Sequence, residues 1–287
     1  MRIRKAVITA AGAGQRRLPL QSLIDQDGAE RSVLNLMVDR AVQARVEEIC
    51  VVIAPGDERA YQAAAGEHVD RVRFVEQVAP QGYGQAIYCA REFTAGEPFL
   101  HMLSDHIYVN GRDSTCSAQI IAAAETEGCA VSAVQATREG LLGRFGAIGG
   151  QQVPGGGDLY KVESVLEKPT PTEAEQELIV PGMRAGHYLC FFGMHVLTPM
   201  VMTILGELIA NNPGERVSLS AALAELVHRE RYLAKKVTAR RVDLGAPYGP
   251  FIAQLLLAMT GKDKTEVLAQ IVEAMSAREE TGARQAG

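Results

Sequence analysis

The loop Ala10-Ala11-Gly12-Ala13-Gly14 follows an apolar run and leads into Gln15-Arg16-Arg17-Leu18-Pro19. Small side chains let a backbone approach a ligand, and consecutive N–H groups then form a concavity for an anion. The two arginines match phosphate oxygens in charge and geometry. Asp105 follows a second apolar run, and Asp243 a third, just before Leu244-Gly245. Two carboxylates converging at one sheet edge could hold Mg²⁺, which takes one or two carboxylates together with phosphate oxygens and waters. The alternative reading makes Asp105 a loop cap and Asp243 a helix cap. Neither common phosphate fingerprint is met. A dinucleotide loop would need glycine where Arg17 stands, and a P-loop would need a lysine, yet none occurs between Lys5 and Lys161.

Something must hold these residues at one edge. Continuous apolar runs predict strands at 5–10, 48–53, 72–75, 99–103 and 130–136. Helix-period stretches alternate with them at 33–44, 57–65, 84–91 and 114–127, with Asp57 placed to cap the second. This alternation predicts an α/β fold: a Rossmann-like, mostly parallel sheet flanked by helices. Right-handed crossovers then align the strand C-termini along one edge, where ligands bind. The middle of the chain reads as a small β-rich insertion, with strands at 145–149 and 160–167 around the glycine-rich stretch 149–157. A strand at 185–192, helices at 200–210 and 218–229, a strand at 233–242 and helices at 248–259 and 264–277 complete the pattern. The expectation is a single domain over 1–277. Its first half is 1–136, its second half with the C-terminal helices is 137–277, and 278–287 is a flexible polar tail.

The 29 basic and 34 acidic side chains leave a net charge of −5, with no basic block. That argues against a nucleic-acid or anionic-membrane partner but leaves room for a small anion. No apolar run approaches the ~18–20 residues needed to span a bilayer. The basic then apolar start stops too early, at Gly12, for a signal peptide. Five scattered cysteines without C-x-x-C spacing read as reduced, packed thiols of a cytoplasmic protein.

The motif A-A-G-x-G-x-R-x-x-P after a first strand resembles the sugar-1-phosphate nucleotidylyltransferases, and among them the bacterial UTP–glucose-1-phosphate uridylyltransferases. The similarity continues in order through Val75-Glu76-Gln77, Pro80-Gln81-Gly82-Tyr83-Gly84-Gln85-Ala86, Leu103-Ser104-Asp105, Phe145-Gly146-Ala147-Ile148, Val165-Leu166-Glu167-Lys168-Pro169, Ala185-Gly186-His187-Tyr188 and Val242-Asp243-Leu244-Gly245. It implies a Mg²⁺-dependent joining of UTP and a sugar 1-phosphate, glucose 1-phosphate first, to give UDP-sugar and pyrophosphate, in a homo-oligomer paired through its late helices.

By resemblance, Arg16, Asp105 and Lys168 are catalytic, and Asp105 with Asp243 holds the metal. Ala10, Ala11, Gly12, Gly14, Gln77 and Gly82 bind the nucleotide, the Gln77 amide reading a uracil edge with donor and acceptor. Gly146 and Glu167 hold the sugar. His187 is expected to be packed or hydrogen-bonded rather than catalytic. Departures from the family pattern keep other readings open. The segment after Pro19 lacks the family's phosphate-contacting lysine, and Arg16, Arg17 and Arg31 are the candidates to substitute for it. His106 stands where a second acid is usual, and Gln15 where Thr is usual. The alternatives are the same reaction with dTTP or another hexose 1-phosphate, a degenerate homologue binding a nucleotide sugar as a regulatory or scaffold subunit, and, disfavoured by the failed fingerprint, a Rossmann-type oxidoreductase.

Overall fold

A computed structural model describes residues 1–109 and 115–285, with side chains to 276. Its strands are β1 (Lys5–Thr9), β2 (Ser22–Ile24), β3 (Glu30–Ser32), β4 (Glu48–Ile53), β5 (Val72–Glu76), β6 (Phe99–Leu103), β7 (His106–Val109), β8 (Ala130–Arg138), β9 (Gly146–Gln152), β10 (Leu159–Glu167), β11 (His187–Leu197), β12 (Tyr232–Lys236) and β13 (Arg240–Asp243). Nine of them form one sheet in the order β5-β4-β1-β6-β11-β8-β12-β10-β9. All but β10 and β11 run in one direction, so the sheet is mixed but mostly parallel, as expected. The expected insertion is the β9–β10 hairpin. It joins the main sheet by pairing β10 with β12 and β9 with β11.

Both faces of the sheet are covered, which is why its strands read as unbroken apolar runs. Ala6 and Ile8 pack under Val33–Gln43, Cys116–Glu127 and Gly249–Thr260, while Val7 packs under Tyr83–Cys89, Pro199–Asn211 and Leu219–Arg229. Three of these helices start at hydroxyl caps: Ser32, Thr115 and Ser218 each accept from the backbone N–H three residues on. Asp57 precedes its helix as expected but makes no capping bond, because its carboxylate turns to Arg16 instead.

The strand expected over 233–242 divides into β12, in the main sheet, and β13, which pairs antiparallel with β7. Lys236 and Val237 bond to Asp158 and Val134, and the chain then leaves the sheet. This break puts Asp243 opposite His106. The strand expected at 185–192 runs further, to Leu197, through a bulge at Gly193. The hairpin β2–β3 was too short and polar to carry a periodic signal. The last helix continues to Gln285, past the expected end at 277. Ser114, the expected start of a helix observed over Cys116–Glu127, lies outside the described residues, as do 286 and 287 of the expected tail. All five cysteines are free thiols, four of them buried, as expected.

Candidate active site

After β1 the chain passes to β4 on one side and later returns to β6 on the other. The loops leaving β1 and β6 therefore part, and a crevice opens between them, where open α/β sheets bind ligands. A cavity of about 340 Å³ fills it, lined by Thr9–Ala13, Gln15, Gln77, Pro80, Gly82, Tyr83, Ala86, Leu103–Asp105 and Arg216. A second cavity of about 320 Å³ adjoins it, lined by Arg144, Phe145, Gly146, Glu167, Phe191, Gly193, His195, Ser218–Ser220, Leu223, Arg241, His106 and Asp243. Gln15, Tyr83, Leu103 and Asp105 line both. The site thus has two lobes with a common wall, and Asp105 stands in that wall.

The glycine loop is fixed from behind. The Tyr61 hydroxyl, under the sheet edge, donates to Arg16 O at 2.6 Å, and burial raises its pKa so that it stays a donor. Gln15 N and Arg16 N close a turn on Gly12 O. Among the described residues, the N–H groups of Ala11, Gly12, Ala13 and Gly14 have no protein acceptor. Consecutive unsatisfied amides beside a cavity constitute an anion site.

The opposite wall is the segment 77–82. Val217 N donates to Gln81 O at 3.0 Å, and Gly84 N to Val217 O at 2.8 Å. Gly82 has φ 103°, and a Cβ there would lie 2.7 Å from Val217 O, so only glycine fits. Gln77 is buried, and its Nε2 donates to Gly82 O at 3.1 Å and to Gln85 Oε1. Gly82 O can only accept, which fixes the amide orientation. Both N–H donors are therefore spent on the protein. Of the donor and acceptor expected of this amide, only the acceptor Oε1 is left without a protein partner. Gln77→Glu removes the donors and sets a carboxylate against Gly82 O. It should raise KM for a uracil nucleotide about tenfold or more and leave KM for the second substrate unchanged in steady-state kinetics.

Asp105 is 5% exposed, and His106 Nδ1 donates to its Oδ1 at 2.5 Å. Asp243 Oδ1 accepts from Gly245 N at 2.8 Å. The Oδ2 atom of each has no protein partner among the described residues. No group of three or more metal-ligating side chains occurs among those residues. The oxygens left over on two carboxylates in one lobe still suit a hard dication that draws its remaining ligands from phosphates and water. Glu167 Oε2 accepts from Ser220 Oγ, and a Cβ at Gly146 would come within 3.0 Å of that carboxylate, so the glycine keeps the lobe open.

The structure brings Ala10, Ala11, Gly12, Gln77, Gly82 and Asp105 together in the first lobe, and Asp105, Gly146, Glu167 and Asp243 in the second. Gly14, Arg16 and Lys168 line neither. Arg16 pairs with Asp57 at 3.5 Å, and Lys168 sits at φ 49° just past β10 with its N–H on Phe145 O. Arg17 also lines neither lobe, and Arg31 pairs with Asp25 and Glu67 away from the site. The arginines that do line it went unnoticed in sequence: Arg216 in the first lobe, Arg144 and Arg241 in the second. Arg241 is half-buried, its guanidinium 3.8 Å from the Phe145 ring centroid and donating to Phe191 O. Burial lowers its pKa, and no carboxylate among the described residues lies within ion-pair distance of it. His187 is hydrogen-bonded to Ala185 O, as expected.

Known proteins share this fold. A uridylyltransferase of Bacillus subtilis (strain 168), UTP–glucose-1-phosphate uridylyltransferase YngB, is 25% identical over 97% of both chains. UTP–glucose-1-phosphate uridylyltransferase 2 of Streptococcus pyogenes serotype M1 is 26% identical over 98% of this chain and 99% of its own. Among solved structures, a UTP-bound UGPase from Acinetobacter baumannii superposes with a TM-score of 0.72 at 22% identity, covering 94% of this chain and 99% of that one. A UDP-glucose pyrophosphorylase complexed with UDP-glucose gives 0.72 at 20%, covering 88% and 97%. The family model described as nucleotidyl transferase matches residues 5–248, and the chain belongs to that family.

Proposed function

We propose that the protein joins UTP and glucose 1-phosphate to give UDP-glucose and pyrophosphate, with Mg²⁺. The observation that carries this is the pair of lobes meeting at Asp105: one has a glycine nest and a base-reading amide, the other a carboxylate and arginines. The curated relatives and the ligands named for the solved structures support the same substrates.

In this reading the Ala11–Gly14 amides bind the triphosphate, and Gln77 Oε1 accepts the uracil N3–H. Glu167 takes sugar hydroxyls, and Arg241 binds the sugar's phosphate. An oxygen of that phosphate attacks the α-phosphorus. The bond from the α-phosphorus to the bridging oxygen breaks, and its electron pair leaves with pyrophosphate. Little covalent work falls to the protein; it must align two anions that repel each other. Asp105 and Asp243 would hold Mg²⁺, which when bound neutralises phosphate charge. Arg16 reaches the phosphates by leaving Asp57, a partly exposed pair that costs little to break, and Lys168 by a change of rotamer at the lobe's rim.

A cytoplasmic location is part of this reading, supported by the five unpaired thiols. Self-association through the last helices is supported by exposed Phe251, Ile252, Leu268, Val272 and Met275 there, and light scattering tests it. The deciding assay supplies purified protein with UTP, glucose 1-phosphate and Mg²⁺. Pyrophosphate release with UTP preferred over dTTP supports the proposal. Tight UDP-glucose binding without release across several sugars and triphosphates would show a binding subunit instead.

A further inference from the structure

His195 lies in the floor of the second lobe and is 3% exposed. A bulge sets its register. Gly193 sits at φ 80°, and the register of β11 on β8 shifts between Phe191 and His195. A side chain at Gly193 would strike Leu103 and the Tyr108 hydroxyl within 2.9 Å. Alternation along β11 puts Phe191 and His195 on one face, toward the cavity, and the shift of two residues brings His195 opposite Ser132.

Burial pulls the imidazole pKa down to about 3, so the ring is neutral. Its Nδ1 lies 2.6 Å from Ser132 Oγ, which in turn meets the Tyr232 hydroxyl. Ser132 and Tyr232 are buried, and among the described residues the Tyr232 hydroxyl has no other partner. Counting hydrogens fixes the direction of this chain. A buried phenol proton without an acceptor is costly, and Ser132 Oγ is the acceptor available to it. Tyr232 therefore donates to Ser132, Ser132 donates to His195 Nδ1, and the ring proton resides on Nε2. That atom has no protein partner among the described residues, and it is not sealed off as His68 Nε2 is.

We propose that His195 Nε2–H donates a hydrogen bond to a hydroxyl of the hexose phosphate in the second lobe, with Ser132 and Tyr232 as positioning residues that hold the tautomer. The proposal rests on the sugar-phosphate reading of that lobe and extends it. A neutral donor suits a hydroxyl oxygen, whereas the phosphate suits the arginines. With Glu167 as acceptor, the lobe then reads both hydrogen-bonding senses of a hexose.

The test is the steady-state kinetics of the wild type, His195→Phe and Tyr232→Phe on glucose 1-phosphate and its 2-, 3-, 4- and 6-deoxy analogues. His195→Phe should lower kcat/KM for glucose 1-phosphate about tenfold to a hundredfold, with KM for UTP within about twofold. One deoxy analogue should show no further loss on the substitution, which identifies the hydroxyl. Tyr232→Phe should give a smaller loss that the same analogue abolishes. It should also move the His195 ¹⁵N shifts away from the Nε2–H tautomer, a change that a merely structural role for Tyr232 would not produce. Equal losses across all analogues, or none, would overturn the proposal. If His195→Phe does not fold, the wild-type analogue series and Tyr232→Phe decide alone. A wild type that forms no UDP-sugar sinks the reading of the lobe and this proposal with it; an active wild type with His195→Phe unchanged sinks only this one.

Discussion

Asp105→Asn should lower kcat for pyrophosphate release by about a thousandfold or more, equivalent to about 4 kcal/mol of barrier. The substitution keeps shape and volume and removes only the charge. The backbone bond from Leu244 N to Asp105 O at 2.8 Å is untouched, and an amide oxygen can still accept from His106 Nδ1. Folding is therefore preserved, and a thermal melt within a few degrees of the wild type checks it. What disappears is the anionic Oδ2 in the wall common to both lobes, where the proposed reading has the two substrates' phosphates meet. Asp243→Asn should cost less, because its charge lies in one lobe and its Oδ1 already serves the turn to Gly245. The double variant should be little worse than Asp105→Asn, since groups that act as a unit are not additive. Asp105→Asn retaining a tenth of wild-type turnover at saturating Mg²⁺ would remove the carboxylate pair from the mechanism.

The frame of the site was legible because periodicity reports burial. The strands at 5–10, 48–53 and 99–103 are covered on both faces, so their apolar runs were unbroken and their ends marked the cleft edge. The glycine loop and Asp105 were legible as strand-end residues for the same reason. The division of 232–243 was not, because the basic pairs Lys235-Lys236 and Arg240-Arg241 stand among apolar residues on both sides of the break, and nothing local records that the pairing partner changes from β8 to β7. The fixed orientation of the Gln77 amide was also hidden, since it depends on Gly82 O and Gln85 brought round by the intervening turn. Arg241 did leave a signal. On a strand, residues two apart point to one face, so a strand carrying Asp243 into the site carries Arg241 in beside it. Net charge alone does not report it.

Arg241→Met should raise KM for glucose 1-phosphate about a hundredfold, with KM for UTP nearly unchanged. The guanidinium lies against Phe145, gives one N–H to Phe191 O and has no acidic partner within reach among the described residues. Asp243 and Asp105 act on this half-buried cation from beyond ion-pair distance, and an arriving phosphate monoester supplies the direct partner it lacks. The aromatic face and the carbonyl hold the guanidinium plane in place, so its remaining N–H edge meets the anion with little further loss of side-chain entropy. Arg241→Lys should recover only part of the affinity, because an ammonium has no planar fork to hold against Phe145. Loss of the bond to Phe191 O costs stability in both variants, about 1–3 kcal/mol. KM for UTP distinguishes that cost from a binding role, since the first lobe does not include Arg241. Competitive inhibition by inorganic phosphate against glucose 1-phosphate gives a second readout: it should weaken in parallel with KM. Unchanged KM and unchanged phosphate inhibition in Arg241→Met would leave the phosphate to Arg144 and Lys168, and would make Arg241 a brace between β13 and β11.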